Sequence, residues 1–174
     1  MDEYRATTKL LHVTAAFLRN NGNVLLIKRG LHKKIAPGMW SGIGGHFEEH
    51  EMNDPHMACL REIEEEAGIP ASAVHSLDLQ YILIGKTPEW IGQSYIYFGE
   101  TTQTDLIHTD EGELAWIPES QWMEKQFSEA FLRMLEHYFA RKPDDKDVYV
   151  GVLELNDGKI CISWLPCQLY RRFD

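Results

Sequence analysis

No apolar run in the 174-residue sequence approaches the ~20 residues needed to cross a bilayer, so no stretch reads as a membrane-spanning helix. Cysteine is scarce. Cys59, Cys161 and Cys167 cannot all pair, and their spacing fits no zinc or redox motif; reduced thiols in a cytosol are the expectation. Basic residues are outnumbered, 17 Lys and Arg against 27 Asp and Glu, for a net charge of −10. A surface of that sign repels a phosphate backbone and argues against DNA or RNA as a polymeric partner. It leaves room for a small anionic substrate, because a bound divalent cation reverses the local field. The opening MDEYRATTKLL carries acids and no long apolar segment, so it does not read as a secretory signal. Internal repeats and low-complexity segments are also lacking. The expectation is a soluble cytoplasmic protein with no membrane or nucleic-acid polymer as partner.

The chain is long enough for one domain with a sizeable core, and its 44% apolar and 25% charged residues are ordinary for a globular fold. LHVTAAFLRNNGNVLLIKR reads as two strands joined by an Asn-Gly turn. GLHKKIAPGMW reads as loop, and SGIGGHFEEHE as a short strand entering a tight turn at Gly44 and Gly45. A helix is expected from Pro55, capped by Asn53 or Asp54, to about Ala67, with Gly68 as its stop. SLDLQYILIGKT, IGQSYIYFGE and GELAWIP read as strands. FSEAFLRMLEHYFARK reads as an amphipathic helix with Phe127, Phe131, Leu135 and Phe139 on one side. PDDKD reads as a linker, and VYVGVLEL-NDG-KICISWL as a closing hairpin. The elements mix into an α/β or α+β sandwich. The expected division is a main domain over 1–142 and a C-terminal hairpin extension over 143–174, packed on the same domain. That hairpin extends the sheet, covers an edge or pairs with a second subunit as a homodimer; the sequence does not choose.

The segment REIEEEAGI, residues 61 to 69, concentrates charge. On a helix of ~3.6 residues per turn, Met57, Leu60, Ile63 and Ala67 share one face, and Glu62, Glu65 and Glu66 share the opposite one. Like charges at i, i+4 destabilise a helix by ~0.2–0.5 kcal/mol per pair, and these also sit near the C-terminus, where the macrodipole disfavours anions. A solvated acidic face and a site for a hard cation such as Mg2+ or Mn2+ both account for them. The helix alone leaves both open.

Upstream residues extend the pattern to GGHFEEHEMNDPHMACLREIEEEAGI. This stretch resembles the signature of the Nudix hydrolase family: glycine, five residues, glutamate, seven residues, then R-E-U-x-E-E-x-G-U with U aliphatic. Gly45 and Glu51 match its first part; Arg61, Glu62, Ile63, Glu65, Glu66, Gly68 and Ile69 match its second. Nine residues, not seven, separate Glu51 from Arg61. The two extra residues are assigned to the MNDP turn, where an insertion costs little. His50 stands where many relatives have glycine.

The resemblance implies an α/β/α sandwich with a mixed central sheet, a loop-helix-loop signature and Mg2+- or Mn2+-dependent hydrolysis of a nucleoside diphosphate linked to another group. It implies that Glu62, Glu65 and Glu66 hold the metal with help from the Gly45 carbonyl. Arg61 would anchor the loop, to Glu51 by charge-assisted hydrogen bonds. The general base would be Glu62 or a glutamate of the HTDEGELAW loop, Glu111 with Glu113 in reserve. Glu111 would also join the metal set.

For the substrate, Arg29 is a candidate phosphate contact, ahead of Lys28, Lys33 and Lys34, and Trp40 a candidate stacking surface. Markers of ADP-ribose and diadenosine-polyphosphate hydrolases are not found; Pro88 lies a few residues too far along. The NVLLIKR strand, the TDE loop, the aromatic late helix and the C-terminal hairpin are similar to MutT-like enzymes that act on oxidised nucleoside triphosphates. In such relatives the base is read near the late helix, which singles out Trp122, Phe127 and Glu129. The expected reaction is hydrolysis of a triphosphate such as 8-oxo-dGTP to monophosphate and pyrophosphate. The alternatives are a nucleotide-sugar hydrolase and a non-catalytic ligand sensor. Sensors of that kind commonly lose signature acids and gain a DNA-binding module, whereas this chain keeps Glu62, Glu65 and Glu66 and has no basic recognition helix.

Overall fold

The strand β1, Lys9–Asn20, is buried on both faces through its centre, and this sets the architecture. Ala15 and Phe17 point into one apolar cluster, while Ala16 and Leu18 point into another. Successive side chains of a strand face opposite ways, so a centrally buried strand of this kind needs a layer on each side. A computed structural model describes residues 8–167. The expectations for the opening residues and for the last seven residues of the extension lie outside that range.

β1 turns through Asn21 and Gly22, both at positive φ, into β2, Asn23–Arg29. After β3, Trp40–Ser41, the chain enters the helix α1, Pro55–Ala67, then the strands β4, Val74–Lys86, β5, Trp90–Thr101, and β6, Gly112–Pro118. The helix α2, Glu129–Ala140, precedes a hairpin of β7, Val148–Asn156, and β8, Lys159–Cys167. One eight-stranded sheet results, ordered β3-β2-β1-β5-β4-β7-β8, with β6 paired to β2. β1 with β5 and β4 with β7 are parallel; the remaining pairs are antiparallel. α1 closes one face through Cys59, Ile63 and Ala67, and α2 the other through Met134 and Leu135. The mixed α/β sandwich is as expected. The hairpin extends the sheet, with β7 laid along β4, and its turn places Asp157 and Gly158 at positive φ. All three cysteines are free. Among the described residues no helix is long and apolar enough to cross a membrane.

Both helices start and stop as their caps require. Asp54 accepts a hydrogen bond from the Met57 N–H at 3.1 Å, Pro55 takes the first helical position, and Gly68 at φ 72° ends α1. Their apolar faces differ from expectation. Met57 is 54% exposed, and the stripe that meets the sheet is Cys59, Ile63 and Ala67. At about 100° per residue Met57 lies about 120° around from Ile63, whereas Glu66 lies only about 60° away. Glu62 and Glu66 therefore flank the buried stripe, whereas Glu65, about 160° around from Ile63, is exposed on the far side. In α2, Phe127 precedes the helix and Phe139 is 47% exposed. A strict four-residue spacing drifts about 40° per step, so the stripe leaves the core by its last member.

Three residues assigned to base recognition lie elsewhere. Trp122 has no exposure and packs in the core against Phe17 and Phe98, with ring centroids 5.3 and 6.1 Å away. Phe127 belongs to the same core. Glu129 sits in the first turn of α2, where acids favour the helix dipole, 3.9 Å from Arg133. Truncation of Trp122 to alanine is expected to lower unfolding free energy by ~3–5 kcal/mol, the cost of emptying a large aromatic site, as measured by urea denaturation.

Candidate active site

The chain from Ile43 to Phe47 takes the place that β2 vacates beside β1. Ala16 N–H donates to the Ile43 carbonyl at 2.7 Å, Thr14 N–H to the Gly45 carbonyl at 2.9 Å, and Phe47 N–H to the His12 carbonyl at 3.0 Å. Gly44 has φ 153°, and a Cβ there would strike the Thr14 carbonyl. A Cβ on Gly45 would lie 2.6 Å from a Glu62 carboxylate oxygen. The paired glycines let the backbone run flat between β1 and α1, close enough for the helix carboxylates to reach it.

Arg61 ties the loop to the helix, and all five of its N–H donors are used. Nε and Nη2 grip both oxygens of Glu51 at 2.7 and 2.8 Å. Nη1 reaches Glu62 at 3.0 Å and Glu65 at 2.7 Å, and Nη2 also reaches the His46 carbonyl at 3.0 Å. The guanidinium holds the buried Glu51 carboxyl down at about 2, against the opposing effect of burial. The residues between the 3-10 turn Glu49–Glu51 and α1 absorb the two extra positions as a turn, and Met52 there is 46% exposed. The register of Glu51 on Arg61 survives the insertion.

Glu66 is treated differently. It is buried and accepts one hydrogen bond, from Gly44 N–H at 2.9 Å. Burial pushes its carboxyl up to about 7, and the charges of Glu62 and Glu111 add to the rise. Burial likewise raises Glu62, although Arg61 opposes it. Arg61 thus hydrogen-bonds Glu51, Glu62 and Glu65, one positive charge shared among three carboxylates, and Glu66 has no cation in hydrogen-bond contact among the described residues. Two buried carboxylates, a third acid nearby and a peptide carbonyl form a set of hard oxygen donors. Among the described residues no three acidic, histidine or cysteine side chains converge as a ready-made cage.

These groups line one cavity of about 1010 Å³. Gly44, Gly45, Glu62, Glu65, Glu66 and Glu111 form one part of its wall. Glu111 is ion-paired with Lys33, which brings the loop after β2 against the loop before β6. Glu113, the reserve candidate, does not line this cavity. Arg29 does, with its Nε donating to the Ile35 carbonyl at 3.0 Å. Trp40 also lines it, with the Lys125 ammonium 5.7 Å from its ring. Trp122, Phe127 and Glu129 do not; Ser128, Ala130 and Phe131 of the same segment do. Sequence reading missed Trp90, Gly92, Gly85 and Leu153 in the wall. The signal available was the pair of glycines inside strand patterns, which marks a close approach.

Comparison with known proteins bears on the fold and the family. In fold the chain is similar to a mutator MutT protein from Bacillus halodurans, at 18% identity and TM-score 0.65, covering 89% of this chain and 96% of that one. It is similar to a MutT protein from Methanosarcina mazei Go1, at 19% identity and TM-score 0.65, covering 76% and 95%. It is also similar to the NUDIX domain of NrtR from Shewanella oneidensis, in complex with ADP ribose, at 13% identity and TM-score 0.57, covering 76% and 89%. Nudix hydrolases generally use divalent metals. Residues 9–157 match the NUDIX domain, a span that carries the signature loop, its helix and the strands framing the cavity, so the chain belongs to the Nudix family of hydrolases acting on phosphoric anhydrides.

Proposed function

We propose that this Nudix hydrolase cleaves a nucleoside triphosphate, with an oxidised dGTP such as 8-oxo-dGTP as the leading substrate, to the monophosphate and pyrophosphate. The observation that carries the reading is one continuous cavity with buried, under-neutralised carboxylates in one part and an apolar wall in another. A nucleotide has the same two-part chemistry. A nucleotide sugar suits the apolar part less, because its hydroxyls need polar partners there. Retention of Glu62, Glu65 and Glu66 favours catalysis over ligand sensing.

Mg2+ or Mn2+ would be held by Glu62, Glu65 and Glu66, with the Gly45 carbonyl using the lone pair that Thr14 N–H leaves free. When bound, the ion screens phosphate oxygens and acidifies the attacking water. Arg61 fixes Glu62 and Glu65 against the loop, and its grip on Glu51 keeps the loop at its distance from α1. Arg29 lines the cavity wall and would meet a phosphate there. The proton of the water passes to Glu111 or Glu62, the two wall carboxylates assigned as general base.

Glu66→Gln keeps the Gly44 hydrogen bond but removes the charge, and is expected to lower kcat by at least ~100-fold. Its melting temperature at neutral pH should equal or exceed that of the wild type, because a buried charge is gone. Mg2+-supported assays of pyrophosphate release, alongside calorimetry, check both. Glu111→Gln assigns the base. A kcat loss of ~10²–10⁴-fold with unchanged stability and an unchanged Mg2+ concentration dependence supports Glu111 as the base, a shifted Mg2+ dependence makes it a metal ligand, and a loss under tenfold leaves Glu62.

Arg61→Ala leaves the buried Glu51 carboxylate unpaired and should cost ~3–5 kcal/mol of stability by denaturant titration. The ion pair also fixes a pH signature. Glu51 is depressed in the folded state to about 2 from its ordinary 4.5. Its stabilisation is therefore complete above about 4.5 and lost as pH falls toward about 2. The melting-temperature gap between wild type and Glu51→Gln should narrow steadily across that window.

A further inference from the structure

The C-terminal hairpin joins the cavity through a chain of contacts. In β7, Gly151 pairs with Trp164 of β8, and a Cβ on Gly151 would lie 2.5 Å from the Trp164 ring. The missing side chain lets that indole lie flat across the strand. From there it stacks on His137 of α2, with ring centroids 4.5 Å apart and planes 27° apart, while His137 Nδ1 is 3.0 Å from the Tyr81 hydroxyl on β4. Arg141, just past α2, forms an ion pair with Asp145 at 3.1 Å and lies 4.8 Å from the Tyr149 ring on β7. The hairpin is clamped to both α2 and β4.

Two residues beyond Gly151, on the same face of β7, Leu153 enters the cavity wall. Beside it the floor is bare. Gly85 of β4 and Gly92 of β5 are direct cross-strand partners, and Gly92 is partnered in turn by Leu11 of β1. In a deeper row the equivalent positions are filled by Tyr81, Ile96 and Ala15. A Cβ on Gly85 would sit 3.8 Å from Leu153, and one on Gly92 would lie 2.7 Å from the Trp90 ring. The result is a bare strip of backbone with Trp90 over one end and Leu153 along one side. Ser94, paired with Leu83, carries the nearest polar side chain of that floor.

We propose that the hairpin completes the substrate cavity, with Leu153, Trp90 and the Gly85–Gly92 pair forming a slot that takes a planar ring of the substrate and sets the size it accepts. This rests on the nucleotide reading given above and deepens it. A floor without side chains admits a flat group, and walls of indole and leucine reward contact with its faces. Recognition there runs through stacking and burial, so it tolerates changes at the ring edge but not in ring size.

The test combines metal-free binding with turnover. Guanosine and cytidine are titrated calorimetrically into wild type, Trp90→Ala and Leu153→Trp without metal, and KM and kcat are measured with Mg2+ on the corresponding triphosphates. Trp90→Ala should weaken guanosine binding at least fivefold, the loss of one stacking contact. Leu153→Trp, which narrows the slot, should raise the KM of the purine triphosphate about tenfold, shift the pyrimidine less and keep kcat within twofold. Leu153→Ala serves if the tryptophan variant does not fold, and should reduce the purine preference. If guanosine binding and KM stay within twofold in every folded variant, the slot assignment is overturned. If neither these triphosphates nor 8-oxo-dGTP, assayed beside them, is turned over by the wild type, the proposed reaction fails, and the nucleoside titrations still decide the slot.

Discussion

One guanidinium holds the signature region in shape. Arg61 spends all five N–H donors on groups from two segments: Glu51 and His46 on the loop, Glu62 and Glu65 on its own helix. Neither segment would otherwise keep its position. The loop carries a buried carboxylate and the helix carries three acids near its C-terminus, and both features are unfavourable alone. The planar fork of arginine satisfies them together, which a lysine point charge would not do. With loop and helix joined at this distance, Gly44 reaches Glu66 and Gly45 lies against Glu62.

The same arrangement leaves one acid without a cation. Glu66 lies about 60° around the helix from the core residue Ile63, so helix packing buries it whether or not a counter-ion is present. A buried carboxylate supported by a single peptide N–H is a poor contributor to stability and a good acceptor for a hard cation. The four glutamates therefore serve stability and the cavity to different degrees. Glu51 is committed to the loop through Arg61, Glu62 and Glu65 touch Arg61 and also line the cavity, and Glu66, beside the Gly44 peptide, faces the cavity with no cation in hydrogen-bond contact among the described residues.

The rest of the molecule supplies the cavity around this point. Its walls come from strands far apart in sequence: β1, β4, β5 and β7 for the floor, the segment around Phe131 for the side, and the loops after β2 and before β6 for the end that carries Glu111. The hairpin, a candidate appendage by sequence, is part of this construction because Trp164 packs on α2. Aromatic residues are divided by depth. Trp122 fills the core, where it meets Phe17 and Phe98, while Trp40 and Trp90 face the cavity.

What the sequence determined by itself was whatever depends on residues near one another along the chain. The Asn-Gly and Asp-Gly turns, the Asp54–Pro55 start and Gly68 stop of α1, and the spacing of Gly45, Glu51 and the Arg61–Glu66 group were all legible, because turn angles, caps and helical neighbours are local properties. The pairing of Arg61 with Glu51 followed from the motif despite the longer turn. Helix faces were legible only in part. Periodicity placed the acids together but not against the core, since the neighbouring surface chooses which stripe is buried. Tertiary structure alone decided that Trp122 and Phe127 are core residues, that Glu66 is buried, and that Trp90 and Leu153 share a cavity. Those facts depend on strand order and register across the sheet, which bring together positions dozens of residues apart and have no periodic trace in the chain.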